Sequence, residues 1–408
     1  MTNGIGGSTP EQALARLSDL TVGMKPPSKE EFAARIARAK DLMQANDIDA
    51  IYLNAGTNLS YFTGTNWYAS ERLVGAILTA AGELTYVAPW FEDSTLQEFM
   101  EIQAPVATWH EHESPYDLIV SLLKEKIGES VKLAIDESTA FFIVDGIKQS
   151  ANVNMLELSL LNSKVVTAGC RMQKSAHEIA LMQRAKDMTL EVHKAVASIL
   201  KPGIATTEVV DFINQAHKAV GAKGSSFCIV LFGEATAYPH GVKHVQYLQP
   251  NDMVLIDTGC LLHGYNSDIT RSFVYGTPSA KQEKVWLDEK NAQLAAFAAA
   301  QIGAPCEAVD AAARNFLTEQ GYGPDYNVPG LPHRTGHGIG LDIHEWPYLV
   351  KNDKTPLAKG MCFSNEPMIC IYGEFGVRLE DHFYMADDGP RWFTKPAHSI
   401  TDPFGYTA

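Results

Sequence analysis

Apolar residues recur with the helical period early in the chain. Phe32, Ile36, Ala39 and Leu42/Met43 form one stripe, and Ser28-Lys-Glu-Glu31 ahead of them has the S-x-x-E form of a capping box, so a helix is predicted from Ser28. A short apolar run predicts a strand at 50–53, and a hairpin is predicted over 76–87 around Ala81-Gly82-Glu83. A helix over 114–127 and a strand over 131–135 that ends on Asp136 follow. Strands alternating with helices over this stretch predict an α/β domain. A second capping box, Ser175-Ala-His-Glu178, opens another stripe of Ile179, Met182, Ala185, Met188 and Val192, which Pro202-Gly203 stops. The domain boundary is expected in the stretch around Leu160–Met172, giving domains 1–165 and 166–408. Residues 1–27, small and polar, read as a mobile arm or an edge contact. No fixed-period repeat is visible.

Composition narrows the class. The 408 residues carry 33 Lys plus Arg against 48 Asp plus Glu, a formal charge of −15, which argues against a nucleic-acid or anionic-membrane partner. Apolar runs such as 73–81 and 294–300 are too short to cross about 30 Å of hydrocarbon. The start, Met1-Thr-Asn-Gly-Ile-Gly-Gly-Ser, lacks the basic and apolar regions of a signal peptide, and the six cysteines include no C-x-x-C pair. The expectation is a cytoplasmic protein with reduced thiols.

The chemistry lies in the second half. Four apolar residues, 253–256, run directly into Asp257, and Asp268 follows eleven residues later beside another strand-like run. A bend over 259–264 lays the two runs side by side and brings both acids together. His333, His337 and His344 fall within twelve residues, but Gly336, Gly338 and Gly340 disfavour a helical zinc site, and His344-Glu345 lacks the second histidine of a zincin. A glycine-flanked histidine on extended chain instead suits a site where backbones crowd together. Glu366 closes a further apolar stretch, and Glu380 sits in a strand-like one. Four carboxylates and one imidazole, each next to buried backbone, match a two-metal ligand set for Mn²⁺, Co²⁺ or Zn²⁺.

In order, D-x10-D, G-H-G-x-G, E-P and R-x-E-D resemble the pita-bread metallopeptidases, the family of prolidase, aminopeptidase P and creatinase. The spacings of 11, 29 and 14 residues are most similar to microbial Xaa-Pro dipeptidases, and Asn58-Leu-Ser-Tyr-Phe-Thr-Gly64 resembles the creatinase-type N-terminal domain. The resemblance implies an α/β creatinase-like domain followed by an α+β pita-bread catalytic domain. It implies two divalent ions per chain, manganese foremost, with Asp257 on one, His337 and Glu366 on the other, and Asp268 and Glu380 bridging. A metal-bridged hydroxide then cleaves the imide bond of Xaa-Pro dipeptides. Glu366 shuttles the proton, His344 stabilises the oxyanion, His240 lies on the substrate side and His333 lines the proline pocket. Arg378 orients Glu380 or holds a substrate carboxylate. A homodimer is implied too, one subunit's N-terminal domain closing over the other's site.

Two departures from the family stand out. Tyr348 occupies a position where prolidases often carry Arg, and Cys370 one where they commonly carry Tyr. The grip on a dipeptide's carboxylate must then come from elsewhere, with His240 and Arg378 as candidates. These departures keep a second reading open, a hydrolase or lyase acting on another small amide or non-peptide substrate. A third, a non-catalytic binding protein on a peptidase fold, is disfavoured by the intact ligand set.

Overall fold

The computed structural model describes residues 3–407. The chain divides into two compact units, one of residues 26–171 and one of residues 3–25 with 172–407.

In the first unit, helix Lys29–Ala45 starts where the sequence predicts. Ser28 accepts from the Glu31 amide while the Glu31 carboxylate accepts from the Ser28 amide, and Phe32, Ala39 and Met43 are buried. The sheet runs in the order Val106–Trp109, Leu84–Pro89, Gly75–Thr79, Ala50–Asn54, Ser130–Ile135, Glu157–Asn162. Its central strand Ala50–Asn54 is buried at all five positions, antiparallel to Gly75–Thr79 and parallel to Ser130–Ile135. The predicted hairpin is present, with Gly75 opposite Val87. Helix Pro115–Lys126, capped by Ser114, buries Ile119, Val120 and Leu123 in a cluster with Ile77, Val87 and Leu133. Burying one such aliphatic side chain contributes about 1.5–3 kcal/mol.

In the second unit, residues 3–25 pack as an edge contact. A short helix, Pro10–Leu14, is capped by Thr9 and Gln12. Leu14, Leu17, Leu20 and Met24 join the core built on helices Ala176–Ile199 and Thr206–Ala219. The Gly6 and Leu20 amides donate to the carbonyls of Ala197 and Val220 at 2.9 and 3.0 Å.

The rest of this unit repeats one plan twice. The helices just named lead into antiparallel strands Phe227–Phe232, Met253–Gly259 and Ile269–Val274. Helices Ala280–Ala299 and Cys306–Glu319 lead into Gly336–Gly338, Cys362–Asn365 and Asp381–Ala386, neighbours in a five-stranded sheet. The turns within the helix pairs are tied alike. Gly203 donates to the Leu248 carbonyl and Leu248 to that of Ile204, just as Gly303 donates to Leu357 and Leu357 to Ala304. The repeat is structural and leaves no sequence period. It matters because each half delivers carboxylates to one place. Among the described residues no helix is long and apolar enough to cross a membrane.

Candidate metal centre

Asp257 lies within Met253–Gly259 opposite Thr270, and Asp268 immediately precedes Ile269–Val274. The predicted bend is a small hairpin, Leu261–Leu262 against Tyr265–Asn266. Glu366 follows Cys362–Asn365, and Glu380 falls between Phe375–Arg378 and Asp381–Ala386. The Glu380 amide donates to the Thr270 carbonyl at 3.1 Å, and the Thr270 hydroxyl donates to Glu380 Oε2 at 2.7 Å. His337 is the middle residue of the strand Gly336–Gly338. A Cβ on Gly336 would stand 2.1 Å from the Ser364 carbonyl oxygen, so the close backbone approach that brings His337 to Glu366 requires glycine there.

Two triads of possible ligands result, Asp268–Glu380–His382 and His337–Glu366–Glu380, each with ligand atoms within 4.8 Å of one another. Glu380 belongs to both. His337 Nδ1 is 3.0 Å from the Gly338 carbonyl, which only accepts, so Nδ1 carries the proton. Its Nε2 then faces Glu366 Oε1 at 3.0 Å and Asp268 Oδ2 at 3.9 Å. Acceptors facing one another this closely call for a proton or a cation between them.

The electrostatics agree. Burial pushes the Asp257 carboxyl up against the opposing pull of Arg378. Burial, then the charges of Asp257 and Glu366, drive Asp268 well above the carboxylate range. Glu380 is driven up by burial and by Asp268, Glu366 and Asp257. Burial also opposes ionisation of Glu366, but the His337 hydrogen bond, His333 and Arg378 bring it down to about 2. Asp257 Oδ1, Asp268 Oδ1, Glu380 Oε1 and both His382 nitrogens are buried without hydrogen-bond partners. Buried charges of one sign are costly unless paired or bound to metal, and this donor set of carboxylate oxygens with imidazole nitrogen fits divalent ions such as Mn²⁺, Co²⁺ or Zn²⁺.

Comparison with known proteins decides the family. Residues 180–387 match the model described as Metallopeptidase family M24, and residues 35–173 match the Creatinase/Prolidase N-terminal domain. The chain belongs to metallopeptidase family M24. It is 31% identical over 367 residues to a Xaa-Pro dipeptidase of Pyrococcus furiosus, covering 90% of this chain and 99% of the relative. Among solved structures it is similar to dipeptidase PepE from Mycobacterium ulcerans, with TM-score 0.85 and 30% identity over 92% of this chain and 99% of that one. A prolidase from Thermococcus sibiricus aligns with TM-score 0.80 and 32% identity over 89% and 97%. The creatinase-like and pita-bread folds expected from the sequence are both present, and the M24 chain is a metallopeptidase.

The remaining candidate residues of this M24 peptidase fall into place unevenly. His344 is exposed, its ring edge-on to that of His337 with centroids 4.3 Å apart. Partial burial and the His337 ring push its pKa down to about 4, so it is a neutral donor near pH 7. His333 turns Nδ1 to the Arg334 carbonyl at 2.7 Å and keeps a buried, unpartnered Nε2. His240 is exposed on a loop whose Pro239 carbonyl accepts from Arg378 Nη1 at 3.1 Å. Arg378 contacts a candidate ligand directly. It is buried, with Nη2 2.5 Å from Asp257 Oδ2 and Nε 3.2 Å from the Thr270 hydroxyl. Its donors hold Asp257, the loop and the Thr270 hydroxyl, which itself donates to Glu380 Oε2, so Arg378 reaches Glu380 through Thr270 and none of its three nitrogens is left without a partner. Cys370 is buried in Met368–Ile371, and burial raises its thiol to about 12, which excludes it as a nucleophile.

Three residues escaped the sequence analysis. His382 sits two positions beyond Glu380, with Nε2 3.7 Å from Glu380 Oε1, and the i, i+2 spacing was the available signal. Lys186, fully buried, donates to the Asn266 carbonyl and brings positive charge toward Asp268 and Glu380. Arg334 lies over the ring of Tyr348 at 4.3 Å.

Proposed function

We propose that the chain hydrolyses Xaa-Pro dipeptides with a pair of divalent ions, manganese foremost. The observation that carries this reading is the sharing of Glu380 between two buried ligand triads. His337 and Glu366 would hold one ion and Asp257 the other, with Asp268 and Glu380 between them. His382 adds a second imidazole beside Asp268 and Glu380. Two ions bound there supply an activated water at neutral pH and polarise the scissile carbonyl.

The protein's own groups do the rest. Glu366 accepts a proton from the attacking water and passes it toward the proline nitrogen. His344, neutral, donates to the oxygen that gains charge in the transition state. Arg378 fixes Asp257 and anchors the loop that carries His240, which would serve on the substrate side. The unpartnered Nε2 of His333 offers a polar contact in the proline pocket. The relatives named Xaa-Pro dipeptidase and prolidase support the substrate class. A cytoplasmic homodimer goes with this reading.

A substrate panel with added Mn²⁺ tests it: Xaa-Pro dipeptides, Xaa-Pro-Xaa tripeptides, non-proline dipeptides and small cyclic amides. Xaa-Pro dipeptides should be cleaved fastest, and a chelator should stop turnover until metal is restored. Faster cleavage of tripeptides makes the protein an aminopeptidase P. Turnover of the cyclic amides alone moves it to non-peptide chemistry.

A further inference from the structure

Most of the buried arginines in the catalytic unit have donors occupied by acids or carbonyls. Arg271 pairs with Asp381, Arg378 with Asp257, and Arg314 with Asp310 and three carbonyls. Arg334 differs. Half-buried, its guanidinium lies 4.3 Å over the Tyr348 ring, and among the described residues it has no carboxylate within ion-pair distance and no side-chain hydrogen bond. In a chain with 48 acids against 33 bases, a cation left without an acid beside an active site is unusual.

Its position is specific. Tyr348 stands directly opposite His337 in the strand pair, so the two side chains leave the same face of the sheet. Arg334 precedes that strand, next to His333, and its charge reaches His344. A positive group thus stands beside the histidines that surround the centre, where the sequence leaves a tyrosine in place of an arginine. An aromatic face holds a guanidinium by cation–π attraction while leaving its N–H edge free, and that fork matches a carboxylate.

We propose that Arg334, seated on Tyr348, binds the terminal carboxylate of the substrate and thereby selects dipeptides. This deepens the Xaa-Pro reading and rests on it. Neither His240 nor Arg378 fills the role. Each nitrogen of Arg378 already has a partner inside the protein, and His240 lacks the two-pronged donor.

The test compares alanyl-proline with its neutral C-terminal amide, on wild-type enzyme and on Arg334→Met and Arg334→Lys, with metal content and thermal midpoint measured for each. Wild type should favour the free acid in KM by roughly 10- to 150-fold, the range of a charge-assisted hydrogen bond. Arg334→Met should raise KM for the acid by that factor, leave KM for the amide and the metal content unchanged, and so abolish the preference. Arg334→Lys should restore part of it. An acid preference that survives Arg334→Met, or an equal loss on both substrates, overturns the assignment. A metal-loaded wild type that cleaves neither compound overturns the Xaa-Pro reading itself.

Discussion

His337 and His344 touch ring to ring, yet their surroundings assign them different work. His337 is buried, proton on Nδ1, with Nε2 turned to two carboxylates, whereas His344 is exposed and neutral. His344→Ala should therefore lower kcat by about 10²–10³ and leave metal content intact, as for loss of one oxyanion donor. His337→Ala should lose metal and rate together. Equal metal loss in both variants, measured by elemental analysis, would show that a ligand has been mistaken for a donor to substrate. His382 belongs with His337 in kind. Its two nitrogens are buried without partners beside Asp268 and Glu380, so His382→Ala should weaken metal affinity by about 10–100-fold. Titration of the metal-free protein with Mn²⁺ reads this directly, and an unchanged dissociation constant would remove His382 from the centre.

Helices Ala176–Ile199 and Thr206–Ala219 are joined by a polar contact buried in their interface. Thr189 Oγ1 lies 3.3 Å from His217 Nε2, and Ser225 Oγ lies 3.0 Å from Nδ1. Burial lowers the His217 pKa to about 4, against about 6.5 for an unfolded histidine. Between those values the unfolded chain binds the extra proton, so stability is full above pH 6.5 and falls as the pH drops toward 4. The loss from this group should be of order 1–3 kcal/mol, and His217→Gln should make the decline shallower in urea melts across pH 4.5–7, with other buried histidines such as His193 supplying the rest. A slope unchanged by the substitution would place the titrating group elsewhere. The same two helices show what a sequence discloses. Ser175 and Glu178 meet within one turn, so the cap is a local fact and legible, as is the run of apolar residues that delivers Asp257. The destination of Arg378 is not local. Phe375–Arg378 packs beside Met253–Gly259, and only that packing brings the guanidinium directly to Asp257 and, through the Thr270 hydroxyl, to Glu380. Arg334 and Tyr348 are likewise brought together by strand pairing across fourteen positions. His382 looks like an ordinary polar residue of an alternating strand until both its nitrogens are seen to lack partners. The short helix Pro10–Leu14 is too brief for its period to stand out among polar neighbours.

At the scale of the molecule, the centre ties together two structurally repeated halves. Asp257 and Asp268 come from the first, and His337, Glu366, Glu380 and His382 from the second. Without cations, burial and then the like charges that face one another across that seam push Asp268 and Glu380 well above their usual range. Bound metal relieves this repulsion and binds only the folded state, so each site should add about 2.7 kcal/mol of stability at a free concentration 100 times its dissociation constant. The residues 26–171 contribute none of these candidate ligands. Chelation should therefore lower amide protection in Met253–Gly259, Cys362–Asn365 and Asp381–Ala386 while the six-stranded sheet keeps its own. Hydrogen exchange followed by mass spectrometry resolves the two regions. Glu380→Gln removes one of the opposed charges and the ligand shared by both triads. Its metal-free form should be the more protected of the two metal-free proteins, and added Mn²⁺ should protect it far less than it protects wild type. If chelation leaves the three strands as protected as before, or if Glu380→Gln responds to Mn²⁺ as wild type does, the ions do not hold the two halves together through Glu380.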